Sequence, residues 1–241
     1  MAQRPSRGRC VHCLKPDVER TWDHVFPRAW YPDTTPPNLH KWQIPSCLPC
    51  NSEYGALEGD LLTRLGLCLD PHAADTASIA KKALRSLKPE HGKSGRDRDA
   101  RTARAKRLGS QFLDGPRIPR SAVYPGFGER WGRPATEGLG VPIPVDSLRR
   151  FTEKIVRGIY YLEDGKFIEP PQTIQFYALT EEGAEPVKTL LVRHGKECAR
   201  EPGIVVRRAV PDDDLTIEVF EITIWQQFKM YATASQPDSG V

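Results

Sequence analysis

Cysteines stand at Cys10, Cys13, Cys47, Cys50, Cys68 and Cys198, and the first four form two C-x-x-C pairs. Each pair makes a tight knuckle whose two thiolates reach one metal, and two knuckles complete a tetrahedral shell. We therefore read Cys10, Cys13, Cys47 and Cys50 as a structural zinc site. A redox role for one pair would leave the other without a purpose. Cys68 and Cys198 read as small buried hydrophobes. The start of the chain is basic and runs into Cys10 without an apolar segment. That predicts no secretion and a cytoplasmic setting, where thiols stay reduced.

Between the knuckles lie Thr21-Trp22-Asp23-His24-Val25-Phe26-Pro27, a Pro-rich loop, and Pro37-Asn38-Leu39-His40-Lys41-Trp42. The second knuckle reads Cys47-Leu48-Pro49-Cys50-Asn51. This order of C-x-x-C, Asp-His with an apolar residue and proline, Asn, then C-x-x-C followed at once by Asn resembles the HNH, or ββα-metal, endonucleases of the four-cysteine zinc type. The likeness covers residues 8–70. It implies a metal-dependent endonuclease that hydrolyses phosphodiester bonds in DNA, double-stranded in the first instance. His24 would activate water, Asp23 and Asn51 would hold a catalytic divalent ion, and Asn38 would keep the loop and His24 in line. Many members carry His where this chain has Asn51.

Elementary chemistry agrees with those roles. Phosphodiester hydrolysis needs an activated water and a way to absorb charge on the phosphate. An imidazole titrates near neutrality, which suits a general base. A carboxylate and an amide oxygen are hard ligands that favour Mg²⁺ or Mn²⁺. Adjacent residues on a regular strand face opposite ways, so Asp23 and His24 share a cleft only if the strand ends or bends near Pro27. His12 sits inside a knuckle, but four cysteines already complete the shell. His40 reads as a surface histidine, with contact to phosphate as the alternative. Glu53 and Glu58 read as solvated carboxylates, with a reach to the ion through water as the alternative for Glu58. Trp22, Trp30 and Trp42 read as core, with base stacking as the alternative.

The net charge of +4 is unevenly spread. Residues 81–107 carry a local charge of +8, which leaves −4 for the remainder. An excess of that size suits a phosphate backbone. It nominates Lys81, Lys82, Arg85, Arg96, Arg98, Arg101, Arg104 and Arg107 as nucleic-acid contacts. The alternative is a solvated linker, since Gly92 and Gly95 interrupt the run.

The elements that must position these groups follow from periodicity. Leu57, Leu61, Leu62 and Leu65 fall at helical spacing, with Gly66 and Asp70-Pro71 as the stop. A helix around Ile79–Leu87, a breaker at Pro89–Gly95 and a helix around Ala100–Phe112 come next. A Pro/Gly-rich connection fills residues 115–144. Leu148, Phe151, Ile155, Ile159 and Tyr160 predict an amphipathic helix of three to four turns, with Asp146 or Ser147 as N-cap. Thr173–Leu179, Gly203–Val210 and Leu215–Tyr231 read as strands, the last broken by a bulge or turn near Trp225–Gln227.

These readings predict an α+β protein in three parts. Residues 1–72 form a small zinc-stabilised ββα-metal nuclease module, and residues 73–144 a basic helical segment with its connection. Residues 145–241 form an α+β accessory domain with an antiparallel sheet, for recognition or interaction. The Asp212-Asp213-Asp214 run there would repel a duplex. No apolar run reaches the length of a membrane span, and nothing fixes the oligomeric state, so a dimer stays open. The competing function is a non-catalytic zinc-finger module that binds nucleic acid.

Overall fold

A computed structural model of the chain describes residues 5–70, 72–73, 76–118, 138–179, 182–211 and 216–235. Pro71, most of the Pro/Gly-rich connection (119–137) and the Asp212–Asp214 run lie outside the described residues. The protein is α+β, with helices and an antiparallel five-stranded sheet. Its contacts group into two units. One joins residues 1–58 with 145–241, and the other is residues 59–144.

In the first unit, β1 (Arg20–His24) pairs antiparallel with β2 (Gln43–Cys47), so that His24 lies opposite Gln43 and Arg20 opposite Cys47. Helix α1 (Leu48–Leu67) follows β2 without a loop, and the boundary between the units falls inside it. It starts well before the apolar spacing at Leu57, because its first turn is built on the second cysteine knuckle.

The other unit contains the rest of α1, then α2 (Ala77–Ser86) and α3 (Gly95–Gly109), on either side of the predicted breaker. Ser94 caps α3 by accepting from the Asp97 amide. A Cβ on Gly66 would come within 2.6 Å of the Ala83 methyl, so this glycine sets the approach of α1 to α2. A two-residue pair, β3 (Leu113–Asp114) with β4 (Leu139–Gly140), completes the unit.

The C-terminal part of the first unit opens with α4 (Val145–Asp164), 20 residues long. It exceeds the three to four turns predicted, and Asp146 sits inside its first turn rather than capping it. The helix continues to Asp164 and stops where Gly165 takes a positive φ of 65°. Next come β5 (Thr173–Tyr177), α5 (Glu185–His194), β6 (Lys196–Glu201), β7 (Ile204–Ala209), β8 (Ile217–Ile224) and β9 (Phe228–Ser235). The sheet order is β5-β9-β8-β7-β6, antiparallel throughout. The sequence reading missed α5 and β6. The turn expected near Trp225–Gln227 is present: β8 and β9 form a hairpin in which Trp225 and Gln226 both have positive φ. Three residues separate the paired Ile224 and Phe228, and the Gln227 amide closes the turn on the Ile224 carbonyl at 2.9 Å.

Cross-strand register separates the faces of the sheet. Phe220, Ile222 and Ile224 align with Ala232, Met230 and Phe228, and Thr152 of α4 bonds to Met230 on that side. On the other side Ala184, Leu191, Ala209 and Tyr231 form a small core under α5. The N-terminal segment docks on the first face. Trp30 stacks on Phe151 with ring centroids 4.6 Å apart, and its carbonyl accepts from Trp225 Nε1 at 2.9 Å. A Cβ at Gly158 would come within 2.7 Å of Val25, so α4 approaches β1 only because that position is glycine.

Candidate metal centre and the buried ion-pair cluster

The Sγ atoms of Cys10, Cys13, Cys47 and Cys50 all lie within 4.8 Å of one another, close enough to hold a metal ion. Tetrahedral zinc with bonds of about 2.3 Å needs thiolates about 3.8 Å apart, and Cys13 and Cys47 are separated by 3.8 Å. The first knuckle turns through Leu14, whose φ is 63° and whose amide donates to the Cys10 carbonyl. The second arrives on β2, where the Cys47 amide donates to Cys10 Sγ at 3.3 Å. Burial alone would raise the Cys10 thiol. Backbone hydrogen bonds at Cys13, Cys47 and His12 outweigh it and bring the group to about 7, toward the thiolate that zinc requires. Four thiols at these separations fit zinc.

The Asp-His pair divides between the two faces of β1. Trp22 is exposed, Asp23 is buried and His24 is half-buried. The strand ends at His24, but the two side chains have different partners. His24 Nε2 lies 3.0 Å from Gln43 Nε2, its cross-strand neighbour. With the amide nitrogen toward the ring, Nε2 is the acceptor and carries the lone pair a general base needs. Burial holds the imidazole below its ordinary pKa, hence neutral at neutral pH.

Asp23 is enclosed, 4% exposed. Its Oδ2 accepts from His12 Nε2 at 2.8 Å, and its Oδ1 from Lys154 Nζ at 3.0 Å. Burial would raise the carboxyl, but the bond from His12 and the Lys154 charge outweigh it and hold it below its usual range. The Lys154 side chain is 0% exposed and also donates to the His24 carbonyl at 2.7 Å and to Glu58. Glu58, on α1, is pushed up to about 7 by burial against the pull of Lys154. His12 is kept below its ordinary pKa by burial, packs against Tyr54 at 4.6 Å, and leaves Nδ1 without a partner among the described residues.

Asn51 lies in the first turn of α1, where Nδ2 donates to Thr21 Oγ1 at 2.9 Å and to the Trp22 carbonyl at 3.3 Å. It ties α1 to β1 one residue before Asp23. Asn38 is exposed in the loop between the strands, and the bond to the His24 ring comes from Gln43. The divalent ion implied by the HNH likeness does not fit these side chains as arranged, because both Asp23 oxygens are already bonded.

Of the nominated basic residues, Arg101 binds Asp97 and the Arg85 carbonyl, Arg104 the Ser86 carbonyl, and Arg107 Asp60. Lys81, Arg85, Arg96 and Arg98 are exposed and make no side-chain ion pair among the described residues, while Lys82 is half-buried. Trp30 is core and Trp22 is 38% exposed.

The sequence reading missed Lys154 and gave His12 and Gln43 no part in the site, and Glu58, read as solvated, is instead enclosed against Lys154. One signal for Lys154 was present. It falls three residues after Phe151 and one before Ile155, on the apolar stripe of α4, where a charge must be buried and paired. No family model, curated protein or solved structure matches the chain. Among the described residues no helix is long and apolar enough to cross a membrane.

Proposed function

We propose that the chain is an HNH-type endonuclease acting on DNA, stabilised by zinc on Cys10, Cys13, Cys47 and Cys50. One observation carries this reading. The β1–β2 hairpin runs directly into α1 at the second knuckle, and Asn51 bonds back to β1 beside the Asp23-His24 pair. Three residues that the likeness assigns to catalysis are thus carried on adjoining elements that follow directly from the four-thiol cluster. In the reaction, water attacks phosphorus and its proton passes to the His24 ring nitrogen as Gln43 yields. The P–O bond to the leaving alkoxide then breaks, and solvent protonates that oxygen. The exposed Lys81, Arg85, Arg96 and Arg98 supply phosphate affinity.

The test is conversion of supercoiled plasmid to nicked circles by the full-length zinc protein, with and without Mg²⁺ or Mn²⁺. Wild type should nick and His24→Ala should not, while DNA affinity stays nearly unchanged, because a base acts on the transition state. Equal nicking by the His24 variant would refute the assignment.

A second reading is favoured by the sealed carboxylate of Asp23: a non-catalytic zinc module that binds nucleic acid. It predicts plasmid binding with no nicking at any ion concentration.

A further inference from the structure

We propose that Lys154 is the built-in counter-cation of Asp23, and that its ammonium closes to divalent ions the position they would take between β1, α1 and α4. The inference rests on the endonuclease reading only in assigning a regulator to that site; the ion exclusion stands independently of cleavage.

An ammonium has three N–H groups and no acceptor. Lys154 directs one to Asp23 Oδ1, one to the His24 carbonyl and one to Glu58. Its hydrogen-bonding capacity is used in full by two carboxylates and a backbone carbonyl. That all-oxygen shell is also what a hard divalent cation takes from protein. The site therefore already binds a cation, and the cation belongs to the chain.

Charge and burial define what happens if it is removed. Asp23 and Lys154 are both almost wholly enclosed, and the Glu58 side chain is 15% exposed. A neutral residue at 154 would leave the enclosed Asp23 and Glu58 carboxyls without their shared ammonium, so that either an unpaired charge is buried or Glu58 takes up a proton, and both are costly. A divalent ion entering the space would balance both charges, whereas one ammonium balances one of them. Ion and lysine cannot both sit on Asp23 Oδ1, so a divalent ion enters only as Lys154 withdraws. Apparent ion affinity then falls by the fraction of molecules in which it has withdrawn. Because Lys154 lies on α4, anything that moves this helix relative to β1 would change that fraction.

The experiment uses the zinc-loaded full chain, with Mn²⁺ as probe read by the loss of its free paramagnetic signal, alongside thermal unfolding. Wild type should show no Mn²⁺ site that Asp23→Asn removes, and its Tm should not respond to Mn²⁺. Lys154→Met should melt lower without added ion, bind one Mn²⁺ per chain, and gain about 5–10 °C in Tm at a hundredfold excess over Kd. Adding Asp23→Asn to Lys154→Met should abolish both the binding and the shift. A Lys154→Met protein with no new Mn²⁺ site overturns the proposal, as does a wild-type site lost in Asp23→Asn. Should Lys154→Met fail to fold, the wild-type comparison decides by the same criterion.

Cleavage is scored separately. If both readings hold, Lys154→Met needs at least about tenfold less Mn²⁺ than wild type for half-maximal nicking. A variant that binds Mn²⁺, when neither it nor wild type nicks, leaves the ion exclusion intact and removes the endonuclease reading. A wild type whose Mn²⁺ binding and nicking both vanish in Asp23→Asn does the reverse.

Discussion

Trp225 Nε1 donates to the Trp30 carbonyl at 2.9 Å, and the two indoles lie 5.0 Å apart, tilted by 32°. The turn of the β8–β9 hairpin is thereby fastened to the short helical turn that follows β1. Close by, Gly203 has a φ of 95°, and its carbonyl accepts from the Trp225 amide. A Cβ there would meet Trp225 and Phe26 at 3.1–3.2 Å, so both backbone and space call for glycine. The strand pair near the cysteines and the C-terminal sheet thus share one core.

Trp30→Ala should therefore destabilise both together. Trp30 is 0% exposed and stacks on Phe151. Its loss should cost about 3–5 kcal/mol. Urea unfolding followed by far-UV circular dichroism should show one transition at a lower midpoint. An unshifted midpoint would count against this core.

Metal analysis should find one tightly bound zinc per chain, and chelation should release it with loss of the β1–β2 hairpin and the first turns of α1. Cys47→Ser should lower zinc occupancy and thermal stability together, since the Cys47 thiol and amide both engage the cluster. Full occupancy in that variant would show that other atoms hold the ion.

Stability should depend on pH through Glu58. Its folded pKa, about 7, lies above the ordinary carboxyl value of 4.5. A carboxyl raised in this sense takes up a proton on folding, so its contribution to stability falls as pH rises from about 4.5 to about 7. Glu58→Gln should remove that component, on the order of 1–3 kcal/mol, so the variant should lose less stability than wild type between pH 5 and pH 8. Parallel urea midpoints for the two proteins across that range would contradict the assignment.

The basic segment should behave as two sets of residues. Neutralising Lys81, Arg85, Arg96 and Arg98 should flatten the plot of log DNA affinity against log salt by up to about 0.9 for each phosphate these side chains neutralise in the native protein. Neutralising Arg101, Arg104 and Arg107 should instead lower thermal stability, because these guanidiniums hold Asp97, Asp60 and the C-terminal end of α2. Equal effects of the two sets on the salt slope would mean that the internal bonds do not restrain those arginines.

The sequence by itself determined the features that depend on near neighbours. Two C-x-x-C spacings brought four thiols to one point. Helical periodicity located α2, α3 and the buried face of α4, and β-branched runs located β5, β7, β8 and β9. Helix α5 and strand β6 escaped because Glu185–His194 and Lys196–Glu201 are short and largely polar, with burial supplied by the sheet rather than by a pattern of their own. The site divided in the same way. Asp23, His24 and Asn51 were nominated from their order alone, but which groups face them was not legible there. Lys154 could be seen as a charge on an apolar stripe, yet its partner lies 131 residues away along the chain. Only the packing of α4 across β1, where Gly158 meets Val25, brings that ammonium to Asp23. Burial then makes the encounter decisive, because a charge enclosed away from water must be matched by whatever the fold places beside it.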